Sequence, residues 1–178
     1  MKLEEIKKSS ETIYEGKIIT IERDIAILED GKEAIREVVR HPGGVGVVAL
    51  DDDGYVYMVR QFRYPFFETT LEIPAGKLDR GGEDTKEAGI RELREETGLT
   101  ADNIEYLGTF YATPGFCDEK LSIYLATGLH QGQTAPDDDE FIECEKYKLD
   151  ELVEMINRGE IRDAKSVIGI LMAKMRVK

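Results

Sequence analysis

The 178 residues, 41% of them hydrophobic, suffice for the core of one domain with a small appendage. A formal net charge of −13 argues against nucleic acid or an anionic membrane as the main partner, and no apolar run approaches a membrane span. The charged opening MKLEEIKKSS has no secretory pattern and Cys117 and Cys144 form no disulfide framework, so a reducing cytoplasm is the expected compartment.

Residues 11–40 read as β-structure. Residues 13–21 and 25–28 are rich in β-branched side chains, Asp30-Gly31 marks a tight hairpin, and residues 32–40 return with Ile35, Val38 and Val39. So small an antiparallel sheet cannot bury itself, and must pack on the main domain or on a second subunit. His41-Pro42-Gly43-Gly44 punctuates the boundary, which divides the chain into an N-terminal part, 1–42, and a main domain, 43–178.

The main domain opens with an apolar strand at residues 45–50. Asp51-Asp52-Asp53-Gly54 then turns the chain into a second strand at 55–60. Three successive aspartates suggest a metal loop, but no glutamate follows at calcium-loop spacing, and an exposed turn is the simpler reading. Arg60 and Arg63 stand on a strand at odd spacing, hence on opposite faces. Arg63 either serves a substrate or pairs with Glu68 or Glu72.

The richest stretch is GKLDRGGEDTKEAGIRELREETGL, from Gly76 to Leu99. Its second half predicts a helix, with Asp84 and Glu87 as a capping box and Gly98 as the left-handed stop. Ala88, Ile90, Leu93 and Thr97 are expected to pack inward. Glu92, Glu95 and Glu96 follow i, i+3, i+4 spacing and share a face. Like charges so placed repel, so the face is either solvated, with Arg91 and Arg94 as partial partners, or it holds a hard cation such as Mg²⁺. The entry loop of Pro74, Ala75, Gly76, Gly81 and Gly82, which can bring backbone carbonyls to the same cation, favours the second reading.

Glu83, the seven-residue spacer and Arg91-Glu92-Leu93-Arg94-Glu95-Glu96-Thr97-Gly98-Leu99 resemble the signature box of the Nudix hydrolases. One departure is that six residues, rather than five, separate Gly76 from Glu83; the addition falls in the loop and leaves the carboxylates in register. LEIPAGKLD before the box, and FYATPGFCDE with Pro114 after it, are similar to the ADP-ribose pyrophosphatases of that family, a resemblance spanning residues 16–173.

The resemblance implies an α/β (α+β) fold: a Nudix-type α/β/α sandwich on a mixed sheet, with the N-terminal antiparallel sheet as an appendage. It implies hydrolysis of ADP-ribose to AMP and ribose 5-phosphate, with Mg²⁺, or alternatively Mn²⁺, held by Glu92, Glu95, Glu96 and the Ala75 carbonyl. Arg91 would orient those carboxylates. Arg63, matching the family's Gln-Phe-Arg, would bind the substrate's phosphate or ribose. Relatives are homodimers that exchange N-terminal sheets, so Arg36 would reach the neighbour's site. Another nucleotide sugar or dinucleotide as substrate, or a non-catalytic ADP-ribose sensor, stays open; the complete set of box carboxylates argues against the sensor.

Thr113-Pro114-Gly115 reads as a stiff turn, and Phe110, Tyr111 and Phe116 as packing aromatics. Residues 121–126 predict another strand. Residues 135–143, APDDDEFIE, predict a turn and then the last strand. The resemblance places a catalytic loop there, with Glu140 serving the attacking water, Asp138 a second acid, and Glu95 the next candidate for the base. Two helices follow: residues 148–157, and residues 164–175 with Val167, Ile168, Leu171, Met172 and Met175 inward.

Overall fold

A computed structural model describes residues 3–78, 82–133 and 141–177. The chain forms two compact units, one of Met1–Gly43 with Tyr111–Lys120, the other of Gly44–Phe110 with Leu121–Lys178.

In the first unit β1 (Ile6–Glu15), β2 (Thr20–Ile27) and β3 (Glu33–Arg40) pair antiparallel in that order. The continuous strand expected over residues 13–21 is instead broken by a reversal, closed by the Gly16 N–H donating to the Ile19 carbonyl at 2.9 Å. Ile18 and Ile19 have strand propensity, but Glu15 must pair with Thr20, and tertiary register overrides propensity. The hairpin at Asp30-Gly31 forms as expected, with Gly31 at φ +82° and Asp30 Oδ1 accepting from the Lys32 N–H at 3.1 Å. Strand β1 is exposed along its length, leaving Ile6, Ile13 and Tyr14 uncovered. The Tyr111–Lys120 segment joins this unit: Val39 N–H donates to the Phe116 carbonyl at 2.8 Å, and Asp118 N–H to the Val39 carbonyl at 3.1 Å. Tyr111 and Phe116, expected to pack, stand exposed and rim a cavity of about 500 Å³ that Asp24 and Arg36 also line. The loop is tied to β3 by backbone bonds at Val39 and by Asp118 on Arg40 at 3.1 Å, polar contacts that offer their rings no apolar core.

The second unit contains β4 (Gly44–Leu50), β5 (Tyr55–Arg63), β6 (Glu68–Glu72), β7 (Ala75–Lys77), α1 (Thr85–Thr97), β8 (Leu99–Tyr111), β9 (Lys120–Gln131), β10 (Glu143–Lys148), α2 (Leu149–Asn157) and α3 (Ala164–Arg176). Among the described residues its sheet runs β10-β5-β4-β9-β8, with β6 on β5 and β7 on β4. Strands β4 and β9 are parallel, whereas β5 and β7 pair antiparallel with β4, so the sheet is mixed. Asp51 closes the β4–β5 turn, its Oδ1 accepting from the N–H groups of Asp53 at 3.0 Å and Tyr55 at 2.8 Å. The triple aspartate is a turn, as the simpler reading held.

Strand β4 is buried on both faces because helices cover both. Val45, Val47 and Ala49 pack with Ala88 and Leu93 of α1. Val48 and Leu50, on the alternate face, pack with Leu149 and Leu152 of α2 and with Ile170 and Ala173 of α3. The result is an α/β/α sandwich with α1 on one side and α2 and α3 on the other.

The inner face of α3 matches the expected one in part: Val167, Ile168 and Met172 are half-buried and pack against the core, but Leu171 and Met175 do not. Met175 is 76% exposed and Leu171 is also turned outward, while Ser166, Gly169, Ile170 and Ala173 are buried. Ser166, Gly169 and Ala173 flank Ile170 on the buried face because the helix sits close to the sheet. A β-carbon on Gly169 would stand 2.9 Å from Val48 and 3.1 Å from Ile73. Ser166 adds a polar tie, its Oγ accepting from the Ile73 N–H at 2.9 Å and donating to Asp163 at 2.5 Å.

Candidate active site

Helix α1 presents its acids where local chemistry sets its ends. Asp84 Oδ1 accepts from the N–H groups of Lys86 at 2.9 Å and Glu87 at 3.1 Å, and Gly98, at φ +72°, ends the helix with its N–H on the Arg94 carbonyl. Ala88, Glu92, Leu93, Glu96 and Thr97 are buried. Ile90, expected inward, is instead 36% exposed. At about 100° per residue it lies nearly opposite Ala88, so the helical period turns it out.

Glu92 and Glu96 are therefore carboxylates facing the interior, 8% and 5% exposed, with Glu95 half-buried beside them. Strand β7 meets this face. The Ala75 N–H donates to Glu96 Oε2 at 2.9 Å, and a β-carbon on Gly76 would collide with the Glu92 carboxylate. Only glycine lets the backbone come so near. Arg91 gathers the remaining charge, donating from Nη1 to Glu92 at 2.7 Å and to Glu95 at 2.9 Å, and from Nε to Glu83 at 3.3 Å. Partial burial works against the guanidinium charge, but Glu83, Glu92 and Glu95 outweigh it and raise the Arg91 pKa further.

Oxygen donors alone, two of the carboxylates buried and seated on a glycine backbone, make a set that suits a hard divalent cation. Arg91 engages one oxygen of Glu92 and one of Glu95. Among the described residues no three His, Cys, Asp or Glu side chains stand at metal-holding spacing in this arrangement. A cation drawing on Glu92, Glu95 and Glu96 together therefore requires those side chains to rearrange about Arg91.

A second charged group lies in the same unit. Arg63 donates from Nε to Glu72 Oε1 at 2.7 Å and from Nη2 to Oε2 at 2.6 Å, the Glu72 pairing that the sequence offered as one alternative. Thr70 Oγ1 donates to Glu72 Oε1 at 2.5 Å, and Lys165 Nζ donates to Oε2. Burial pushes the Glu72 pKa up, but hydrogen bonds and charge from Arg63 and Lys165 dominate and bring it down from 4.5 to about 2. Glu96 acts electrostatically on Arg63, so the two groups are electrically coupled. Arg60, on the other face of β5, is held by Glu145 at 2.7 Å and Tyr147 at 3.1 Å.

Of the residues expected at the site, the structure brings together Glu92, Glu95, Glu96, Arg91 and Ala75. Arg36 belongs to the N-terminal unit, where Glu5 takes its Nε at 2.8 Å and its Nη2 at 2.6 Å. Glu140 and Asp138 lie outside the described residues. Sequence reasoning left out Glu83 as a partner of Arg91, although its place in the box was a signal, and it left out Lys165. The signal for Lys165 was a lone cation in the first turn of an apolar helix.

The NUDIX domain matches residues 40–168, and the nucleoside diphosphate sugar hydrolase N-terminal domain matches residues 5–39. The chain is 39% identical to an ADP-ribose pyrophosphatase of Bacillus subtilis over 176 residues, covering 98% of this chain and 95% of that protein. It is also 39% identical to a methanol dehydrogenase activator of Bacillus methanolicus over 169 residues, 94% of this chain and 91% of the relative. A crystal structure described as an ADP compounds hydrolase superimposes with a TM-score of 0.84 at 20% identity, over 97% of this chain and 93% of that one, which speaks for the fold. The domain match extends over most of the chain and takes in the whole acidic face of α1, and with the near full-length identity it makes this protein an enzyme of the Nudix hydrolase family.

Proposed function

We propose that the protein hydrolyses the diphosphate bond of ADP-ribose, giving AMP and ribose 5-phosphate, as a cytoplasmic homodimer dependent on Mg²⁺ or Mn²⁺. The observation that carries the reading is the buried pair Glu92 and Glu96, seated on the Ala75-Gly76 backbone and bridged to its neighbours by Arg91. Relatives at 38–39% identity named ADP-ribose pyrophosphatase support the choice of substrate.

Glu92, Glu95 and Glu96, with the Ala75 carbonyl, would hold the cation. When bound, it neutralises the diphosphate and lowers the pKa of a water. Arg91 keeps Glu92 and Glu95 in orientation, because one guanidinium bonded to both and to Glu83 restrains all three, while the Ala75 N–H holds Glu96. Arg63 directs its remaining N–H groups to the substrate's phosphate or ribose. Glu140 positions or deprotonates the attacking water, with Glu95 next in line. The uncovered apolar residues of β1 support a dimer formed through the N-terminal sheets. Arg36 would reach the neighbour's substrate after releasing Glu5.

An AMP-release assay over a panel of ADP-ribose, other nucleoside diphosphate sugars and dinucleotides, with Mg²⁺, tests the reading. ADP-ribose is expected to have the highest kcat/KM. Faster turnover of another member reassigns the substrate, and tight ADP-ribose binding without turnover makes the protein a sensor. Glu140→Gln is expected to lower kcat by about 10² to 10⁴ with little change in KM, and Asp138→Asn by less. The reverse order moves the role to Asp138.

A further inference from the structure

We infer that Lys165 is a positioning residue for substrate binding, holding the Arg63 guanidinium in place through the carboxylate they share on Glu72. The inference rests on the assignment of Arg63 to the substrate.

Arginine has five N–H donors in one plane. Two of them, on Nε and Nη2, lie on the two oxygens of Glu72, and a pair of parallel bonds fixes both the position and the plane of the guanidinium. The remaining donors belong to a side chain 37% exposed, whereas the Glu72 side chain is only 2% exposed. The aim of Arg63 is therefore set by where Glu72 stands. Glu72 in turn is held on its far side by Thr70 on one oxygen and Lys165 on the other.

Lysine has a flexible stem and makes a poor anchor unless its head is fixed. Here it is fixed twice, by Glu72 and by Asp163 at 3.0 Å, and its side chain is 9% exposed. Asp163 is itself the N-cap of α3, accepting from the Ser166 N–H at 2.9 Å and its Oγ at 2.5 Å. A line of bonded groups thus runs from a helix end packed on the core to a half-exposed guanidinium. Without Lys165, Glu72 and Asp163 become neighbouring anions, and Glu72 turns from its place with Arg63 following.

An ion pair serving stability alone would leave substrate affinity untouched, so the test reads KM and kcat for ADP-ribose with Mg²⁺ alongside the melting temperature. Arg63→Ala is expected to raise KM about tenfold or more, and Lys165→Met about fivefold or more, with kcat within about twofold. Adding Lys165→Met to Arg63→Ala should raise KM no further, because the lysine acts through the arginine. Lys165→Arg, which keeps a cation on Glu72, should stay within about threefold of wild type. If Lys165→Met does not fold, Lys165→Gln takes its place, keeping a donor for Glu72 without the charge. An unchanged KM in the folded variant, or KM effects that multiply in the double variant, overturns the inference. A wild-type protein inactive on ADP-ribose overturns the functional reading and the inference with it, whereas an active wild type with an unchanged Lys165 variant overturns the inference alone.

Discussion

Replacing Glu72 by Gln preserves shape while removing one charge from the most buried carboxylate pairing described above. Glu72 is 1% exposed and takes donors from Arg63, Thr70 and Lys165, which bring its pKa from 4.5 down to about 2. A lowered carboxylate pKa contributes stability that is fully present above the unfolded value of 4.5 and disappears as pH falls toward 2. Converted, the shift amounts to about 3 kcal/mol at pH 7, in line with the cost of breaking a buried pair. For a chain of this size that corresponds to roughly 10 °C in melting temperature. Urea denaturation of wild type and Glu72→Gln at several pH values would measure it. The difference should be about 3 kcal/mol at pH 7 and less than half that by pH 3, because Glu72 of the unfolded chain takes up its proton near 4.5 while the folded one is still ionised. Carboxylates common to both proteins cancel in the comparison. A difference below 1 kcal/mol at pH 7, or one that does not shrink in acid, would refute the reasoning that Arg63 and Lys165 outweigh the burial of Glu72.

Glu96→Gln should leave folding intact and lower kcat by about a hundredfold or more; activity within a few-fold of wild type would remove the α1 face as the metal site. Gly76→Ala forces the Glu92 carboxylate away from β7 and is expected to cost about 10² in kcat, with circular dichroism unchanged. A variant as active as wild type would show that Glu92 need not lie there. Deleting residues 1–40 should convert a dimer to a monomer by light scattering, and a full-length protein that already runs as a monomer contradicts the dimer.

Helix α1 was legible in the chain because everything that forms it is local. Asp84 caps N–H groups two and three residues on, Gly98 takes the left-handed stop, and Glu92, Glu95 and Glu96 share a face through the helical period alone. The same locality made the Asp30-Gly31 hairpin and the Asp51–Gly54 turn readable. The family resemblance added roles for these residues, since spacing by itself left the acids divided between a solvated face and a metal site. What lay beyond the sequence is what depends on how close two elements come. Apolar content favoured Val167, Ile168, Leu171, Met172 and Met175 as the inner face of α3; Val167, Ile168 and Met172 do pack, yet the close approach to β4 at Gly169 sets the helix rotation and leaves Leu171 and Met175 outside. Gly76 reads as part of an entry loop that brings carbonyls to a cation, and only the structure has the Glu92 carboxylate lying against it. Glu72 and Lys165 stand 93 residues apart, on a strand and a helix that no local rule connects. Only the stacking of α3 on the sheet makes a surface-type lysine and glutamate into a buried pair, because burial is a property of the assembled layers and not of either residue.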